Sequence, residues 1–160
     1  MAVDMFLKLG TYVGESKDSK HKGEIDVLAW SWGMSNAGSA HTGGGAGAGK
    51  VNVQDLSFTK YIDLASADTM LACCNGQHIP EAKLVVRKAG TDPLEYLTIT
   101  MTEVLVTAVS TGGSGGEDRL TENVTLNFAK VKLEYKEQTE KGAIGKQPKM
   151  GWDIAANKKL

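Results

Sequence analysis

The chain has no excess of either charge. Its 18 lysines and arginines meet 19 aspartates and glutamates, and the pI is near 6.3. That balance lacks the footprint demanded by nucleic acid or an anionic membrane, so neither partner is implied. No stretch approaches the roughly 20 apolar residues of a membrane span. The first residues, MAVDMFLKLG, interrupt their apolar positions with Asp4 and Lys8, which excludes the hydrophobic centre of a cleavable signal peptide. The expectation is synthesis in the cytoplasm and, if the protein leaves, exit by a route that reads no such signal. Cysteine is scarce. Cys73 and Cys74 are adjacent, form neither a CxxC redox pair nor half of a zinc set, and are expected as two small buried side chains in a reducing compartment. His21, His41 and His78 lie far apart in loop-like contexts with no carboxylate or cysteine at ligand spacing, so they read as surface histidines. No GxSxG or similar nucleophile signature occurs, and no catalytic residue, metal or cofactor is implied.

What is present is period-two alternation. At 160 residues the chain fits one domain, 1–160, able to bury about 70% of its unfolded surface. Met5, Leu7 and Leu9 alternate in a first strand, and Glu15 to Gly23 (ESKDSKHKG) reads as a charged, solvated loop. Four longer segments then change phase partway. Ile25 and Val27 give way to Leu28, Trp30 and Trp32; Val51 and Val53 to Leu56, Phe58 and Ile62. Leu97, Ile99 and Met101 give way to Val104, Val106 and Ala108; Val124, Leu126 and Phe128 to Val131, Leu133 and Tyr135. Side chains alternate faces along a strand, so each phase change means a bend or bulge. Strands that turn a corner describe a closed β-barrel of two bent antiparallel sheets better than a flat sheet. Lys83 to Ala89 adds a further strand, and Met150, Trp152 and Ile154 suggest a last one.

One short helix interrupts the strands. Ser66 is its expected N-cap, Asp68 suits the helix dipole, Met70, Leu71 and Cys74 fall at helical spacing, and Asn75-Gly76 is the stop. Pro80 and Pro93 mark turns, and Ser110 to Arg119 is a glycine-rich loop between long strands. The segment 136–149 is polar and lysine-rich without periodicity, and is expected to be loosely ordered.

A second glycine-rich stretch runs from His41 to Lys50 and includes Gly43, Gly44, Gly45, Gly47 and Gly49. It cannot bury apolar surface, so it reads as a contact element. Its end, GGAGAGK, nearly fits a phosphate-binding loop. Val51 stands where that motif needs Ser or Thr, and the VNVQDLSF that follows has strand periodicity, so nucleotide binding is rejected. Trp30 and Trp32 share a stripe with Leu28, which favours core packing and leaves Ala29, Ser31 and Gly33 on a small, weakly polar face. The alternative is a carbohydrate-binding β-barrel module that exposes both tryptophans. Glu117, Asp118 and Arg119 read as turn chemistry or as an ion pair across an interface.

The runs VLAWSWG (27–33), NVQDLSFTKYID (52–63) and STGGSGGEDRLTENVTLNFAK (110–130), with the loop through Lys50, strongly resemble the haemolysin-coregulated protein (Hcp) family, the tube component of bacterial type VI secretion. The resemblance is collinear to about Tyr135. It implies a β-barrel with one helix that assembles as a hexameric ring, rings that stack into a tube driven out by a contractile sheath, and a non-enzymatic role. Implied partners are further copies of the chain, the sheath and spike, and small effector proteins carried in the lumen; the protein would be cytoplasmic when assembled and secreted without a signal peptide. By motif position the lumen-facing residues would be Ser31, Ala29 and Gly33, with Ser31 foremost. His41, Gly43, Gly44, Gly45, Gly47, Gly49 and Lys50 would form the ring-stacking loop. Glu117, Asp118 and Arg119 would sit in an inter-subunit or inter-ring loop.

Overall fold

The computed structural model describes residues 2–38, 41, 49–90 and 93–160. In chain order the elements are β1 (Val3–Leu9), β2 (Ile25–Ser31), β3 (Met34–Ser35), β4 (Asn52–Val53), β5 (Leu56–Tyr61), α1 (Ser66–Asn75), β6 (Ile79–Lys88), β7 (Glu95–Thr111), β8 (Thr121–Tyr135), β9 (Lys149–Asp153) and β10 (Lys158–Lys159). Six antiparallel strands run β8-β5-β2-β1-β6-β7, and β7 pairs back with β8 to close a barrel. Strands β9 and β10 extend the sheet beyond β8. Leu7, Leu9, Ile25, Leu56, Leu84, Ile99, Met101 and Leu126 fill the interior from six different strands.

On β2 and β7 the phase change takes physical form as irregular backbone. On β2 the register slips between Val27 and Ala29, and the bulged residue, Leu28, turns out to solvent at 40% exposure instead of joining the core stripe. On β7 the change falls at Glu103, a non-glycine residue at φ 56. The flanking pairs Thr102/Lys130 and Val104/Phe128 put Glu103 opposite Ala129, where β8 changes phase too. A second slip between Val106 and Ala108 exposes Ala108, which the alternation had placed inside. The remaining segment breaks into β4 and β5, and there Ile62 is exposed while Lys60 takes the inward position after Leu56 and Phe58. Tyr135 also points out, and Pro80 sits inside β6 near its start, not in a turn.

Burying Lys60 requires partners, because an uncompensated charge in a protein interior is very costly. Its ammonium donates to Glu122 Oε1, to Ser66 Oγ at 3.1 Å and to the Tyr61 carbonyl at 3.0 Å, and forms a further ion pair with Asp63 Oδ1 at 2.8 Å. Lys60 and Glu122 are both fully buried. Ser66 Oγ donates to Glu122 Oε1 at 2.8 Å and accepts from the Asp63 amide at 2.9 Å. Ser66 is therefore the first helical residue and part of this cluster; the N-cap is Ala65, with no side-chain capping bond. The helix buries Ser66, Thr69 and Ala72, packs against β7, and ends at Gly76, whose left-handed φ of 66 needs no Cβ. Leu71 and Cys74 face solvent and Cys73 is half-buried, so the two cysteines are not a buried pair.

The 15–23 loop is not simply solvated. It begins at Gly14, where a Cβ would come within 2.5 Å of the Glu24 carbonyl, so the two ends of the loop can close on each other. His21 is buried, contrary to the surface reading. It stacks on Phe6 with centroids 4.4 Å apart, and its ring nitrogens meet Glu24 Oε2 at 3.0 Å and Glu95 Oε1 at 2.6 Å. Arg87 lies over the same Phe6 ring and grips both carboxylate oxygens of Asp18, with Nη1 to Oδ1 at 3.1 Å. The Arg87 guanidinium beside Asp18 holds its carboxyl down to about 2. The segment 136–149 folds back as a hairpin, with Glu137 and Thr139 amides bonded to the Lys146 and Ala143 carbonyls.

Replacing Glu122 by Ala should cost about 3–5 kcal/mol in urea unfolding, because it strands the buried Lys60 ammonium. The paired change Lys60→Met/Glu122→Leu should recover most of that loss; equal damage from both variants would show that the ion pair is not the source. A depressed carboxyl stabilises the fold above its unfolded value of about 3.9 and loses that contribution as pH falls toward about 2. Asp18→Asn should therefore flatten the decline of Tm between pH ~4 and ~2, and an unchanged slope would remove Asp18 from the acid response.

Candidate functional site

The alternation that sends Val27, Phe58 and Val124 inward sends small polar residues outward on the same strands. Across β2, β5, β8 and β7 the register aligns Ala29 with Thr59, Asn123 and Ser110, and Ser31 with Ser57, Thr125 and Ala108. The result is an outer face four strands wide, about 15 Å at the usual strand spacing, without a charged side chain. Ser57 and Thr125 hydroxyls lie 3.1 Å apart, and Thr59 Oγ1 donates to Asn123 Oδ1 at 2.6 Å. A hollow of about 220 Å³ lies between Ser31, Ser57, Thr59 and Asn123, floored by Trp30 and Phe58.

Charges stop at the margins of this face. At one end Asp55 is tied down by Thr107 Oγ1 at 3.0 Å and Asn127 Nδ2 at 2.8 Å. At the other, burial pushes the Asp26 carboxyl up, with Asp63 adding to the shift and Arg119 opposing it. Half-satisfied hydroxyls and amides can hold a protein surface through many weak contacts, with no strong anchor of either sign. Trp30 and Trp32 are half-buried and packed against the core; Trp32 Nε1 donates to the Gln54 carbonyl at 2.9 Å. They form no exposed platform of the kind a sugar ring stacks on.

The second element is an arm. Beyond the barrel, β3 and β4 continue the β2/β5 pairing, with Met34 opposite Val53 and the Gln54 amide bonded to the Gly33 carbonyl at 2.9 Å. Gly33 is thus half-buried at the root of the arm. Asn36 Nδ2 donates to the Gly49 carbonyl at 2.6 Å, which keeps the ribbon paired further out. His41, Gly49 and Lys50 are exposed; Gly43, Gly44, Gly45 and Gly47 lie outside the described residues.

The loop bearing Glu117, Asp118 and Arg119 is at the opposite end of the barrel. Tyr61, where β5 ends, pairs with Thr121, where β8 begins, whereas the arm leaves from the end of β2. Glu117 and Asp118 are exposed, and Arg119 stacks within its own chain, 3.8 Å from the Tyr61 ring centroid. The structure brings Ala29 and Ser31 together on one face but adds Ser57, Thr59, Asn123 and Thr125, which were not singled out in the sequence. Their signal was there, as polar residues alternating with the buried positions of LSFTKY and TENVTLNF. What the sequence lacked was the pairing that sets them beside Ser31.

Among the described residues, no group of three or more His, Cys, Asp or Glu side chains could hold a metal ion, and no helix is long and apolar enough to cross a membrane. Comparison with known proteins gives a consistent family. The model of the family described as "Type VI secretion system effector, Hcp" matches residues 6–135. Protein hcp1 of Pseudomonas aeruginosa is 65% identical over 159 residues, covering 98% of each chain. Among solved structures, Hcp1 from Salmonella typhimurium is 42% identical with a TM-score of 0.81 and full coverage of both chains. A type VI secretion system effector from Yersinia pestis is 36% identical with a TM-score of 0.76, covering 94% of this chain and all of that one.

Proposed function

The chain belongs to the Hcp family of type VI secretion tube proteins, and from that membership we propose that it forms homohexameric rings whose lumen is lined by the neutral β2-β5-β8-β7 face and carries small effector proteins. It is a secreted structural protein of the type VI apparatus rather than an enzyme. The observation behind the carrier reading is the outer face itself: Ala29, Ser31, Ser57, Thr59, Asn123 and Thr125 in register, small and uncharged. A face without charge does not select cargo by its own charge, and it releases what it holds. Single contacts are weak, but six copies around a ring raise the effective concentration of contacts to a cargo inside.

Stacking uses the two ends of the barrel. The arm carrying His41, Gly49 and Lys50 leaves one end, and the 112–119 loop with Glu117 and Asp118 leaves the other. Two different surfaces at opposite ends make a heterologous contact, which propagates into an open stack instead of closing on itself. A sheath outside the tube and a spike at its tip are the further partners of this reading.

Light scattering after size exclusion should give a mass near six subunits, with ring-shaped particles by electron microscopy. A monomer at high concentration without rings would overturn the assembly. Ser31→Gln should leave ring mass and melting unchanged while reducing retention of a co-expressed effector on the order of tenfold, about 1.4 kcal/mol. Loss of the ring in this variant would instead place Ser31 in a subunit contact.

A further inference from the structure

Paired strands β1 and β6 carry three successive outward cross-strand pairs, and two of them are complementary. Asp4 faces Arg87 in an ion pair at 3.4 Å, and Phe6 faces Val85 beneath the His21 loop. The third pair sets Lys8 directly opposite Lys83, both exposed. Like charges at 4.5–5.5 Å Cβ separation, on the order expected for directly opposed residues, destabilise a sheet. The row continues. Lys83 pairs with Thr100 on β7, and Thr100 pairs with Lys132 on β8. Three lysines and a threonine thus lie at one level across four strands, and among the described residues none of the three lysines is in an ion pair. Beside them is a groove of about 600 Å³ with Lys20 and His78 at its margins.

We propose that the Lys8/Lys83/Lys132 row is a docking site for an extended acidic segment of a partner protein. The site's own acids set the limits of that class. Glu24 is engaged by His21 Nδ1 at 3.0 Å, and Glu81 lies one row away, paired through Thr102 with Lys130. A polyanionic nucleic acid backbone would meet those glutamates and a chain of net charge −1, with too few lysines for the 6–10 or so phosphate contacts typical of such binding. Carboxylates spaced along a polypeptide fit a short lysine row edged by glutamates. The row lies away from the carrier face, because β6 sits across the barrel from β5 and because β7 and β8 change phase at Glu103 and Ala129 before they reach it. In the proposed ring, on which this orientation rests, it faces outward from the tube.

The test is fluorescence anisotropy of a labelled hexaglutamate peptide with the full chain at low ionic strength. Binding that falls with added salt and weakens at least tenfold in Lys8→Ala/Lys83→Ala is expected, with weakening also in Lys132→Glu. The double alanine variant removes the cross-strand repulsion, so it should melt no lower than the parent. Absence of binding, or binding unchanged by these substitutions, overturns the proposal. Equal affinity for a single-stranded oligonucleotide or inorganic phosphate overturns the acidic polypeptide as ligand. Loss of ring mass in the double alanine variant would show that the row is a contact between copies of this chain. Effector retention in Ser31→Gln is read separately, so a failed carrier face and a failed lysine row give different results.

Discussion

The architecture depends on one constraint: a strand offers two faces, and β7 and β8 must exchange theirs at the same level. They pair over almost their whole length, and a phase change on one alone takes an extra residue, as at the Val106/Ala108 slip. Glu103 accepts a left-handed φ of 56 opposite Ala129, and both strands turn there together. Such a conformation costs on the order of 1–3 kcal/mol for a non-glycine residue and persists only where surrounding structure enforces it. Here the enforcement is burial on both sides of the bend, Ile99 and Met101 before it, Val104 and Val106 after it. Because of the bend, one pair of strands contributes to two outer faces: Asn123, Thr125 and Ser110 to the neutral one, Thr100 and Lys132 to the basic one.

Inside the barrel the second organising feature is polar. Lys60 and Glu122 sit on neighbouring strands in positions that alternation reserves for apolar residues, and Ser66 and Asp63 join the cluster, while Glu122 Oε2 is left without a hydrogen-bond partner. A buried ion pair of this kind is weak as a source of stability, since well-packed apolar residues would do as well. Its effect is directional. Its contacts with Asp63 and Ser66 tie the first turn of α1 to the end of β5. The His21 loop does similar work outside, where Asp18 and His21 reach Arg87, Glu24 and Glu95 and cover Phe6 and Val85. With that stretch of β1 and β6 covered, the lysine row remains the open part of this strand pair.

Function follows from the contrast between the faces. The neutral face has hydroxyls partly satisfied by one another and keeps its charges at the margins, which suits weak, repeated, reversible contact. The basic row concentrates ammonium groups that have no ion-pair partner among the described residues, which suits a defined partner of opposite sign. The arm and the 112–119 loop occupy opposite ends, which in the proposed stack sets them against neighbouring rings. The family membership supplies the tube; the distribution of these surfaces is what the proposed orientation within it rests on.

By itself the sequence determined the β-barrel class, the corners in its long strands, the single helix and its glycine stop, and the family, because period-two burial and turn chemistry are local and the matching runs are long. It located Ala29 and Ser31 on an exposed small face for the same reason. It misplaced Leu28 and Ala108, since a bulge moves side chains by one position and leaves no mark in composition, and Ile62, which lies just past the end of β5. His21 and Lys60 were beyond it as well: whether a polar residue is buried depends on partners 62 or 74 positions away, Glu122 and Glu95. Only the tertiary structure decided those pairings. It alone set Ser57, Thr59 and Asn123 beside Ser31, and Lys8 beside Lys83, because register between strands distant in the chain is fixed by closure of the barrel.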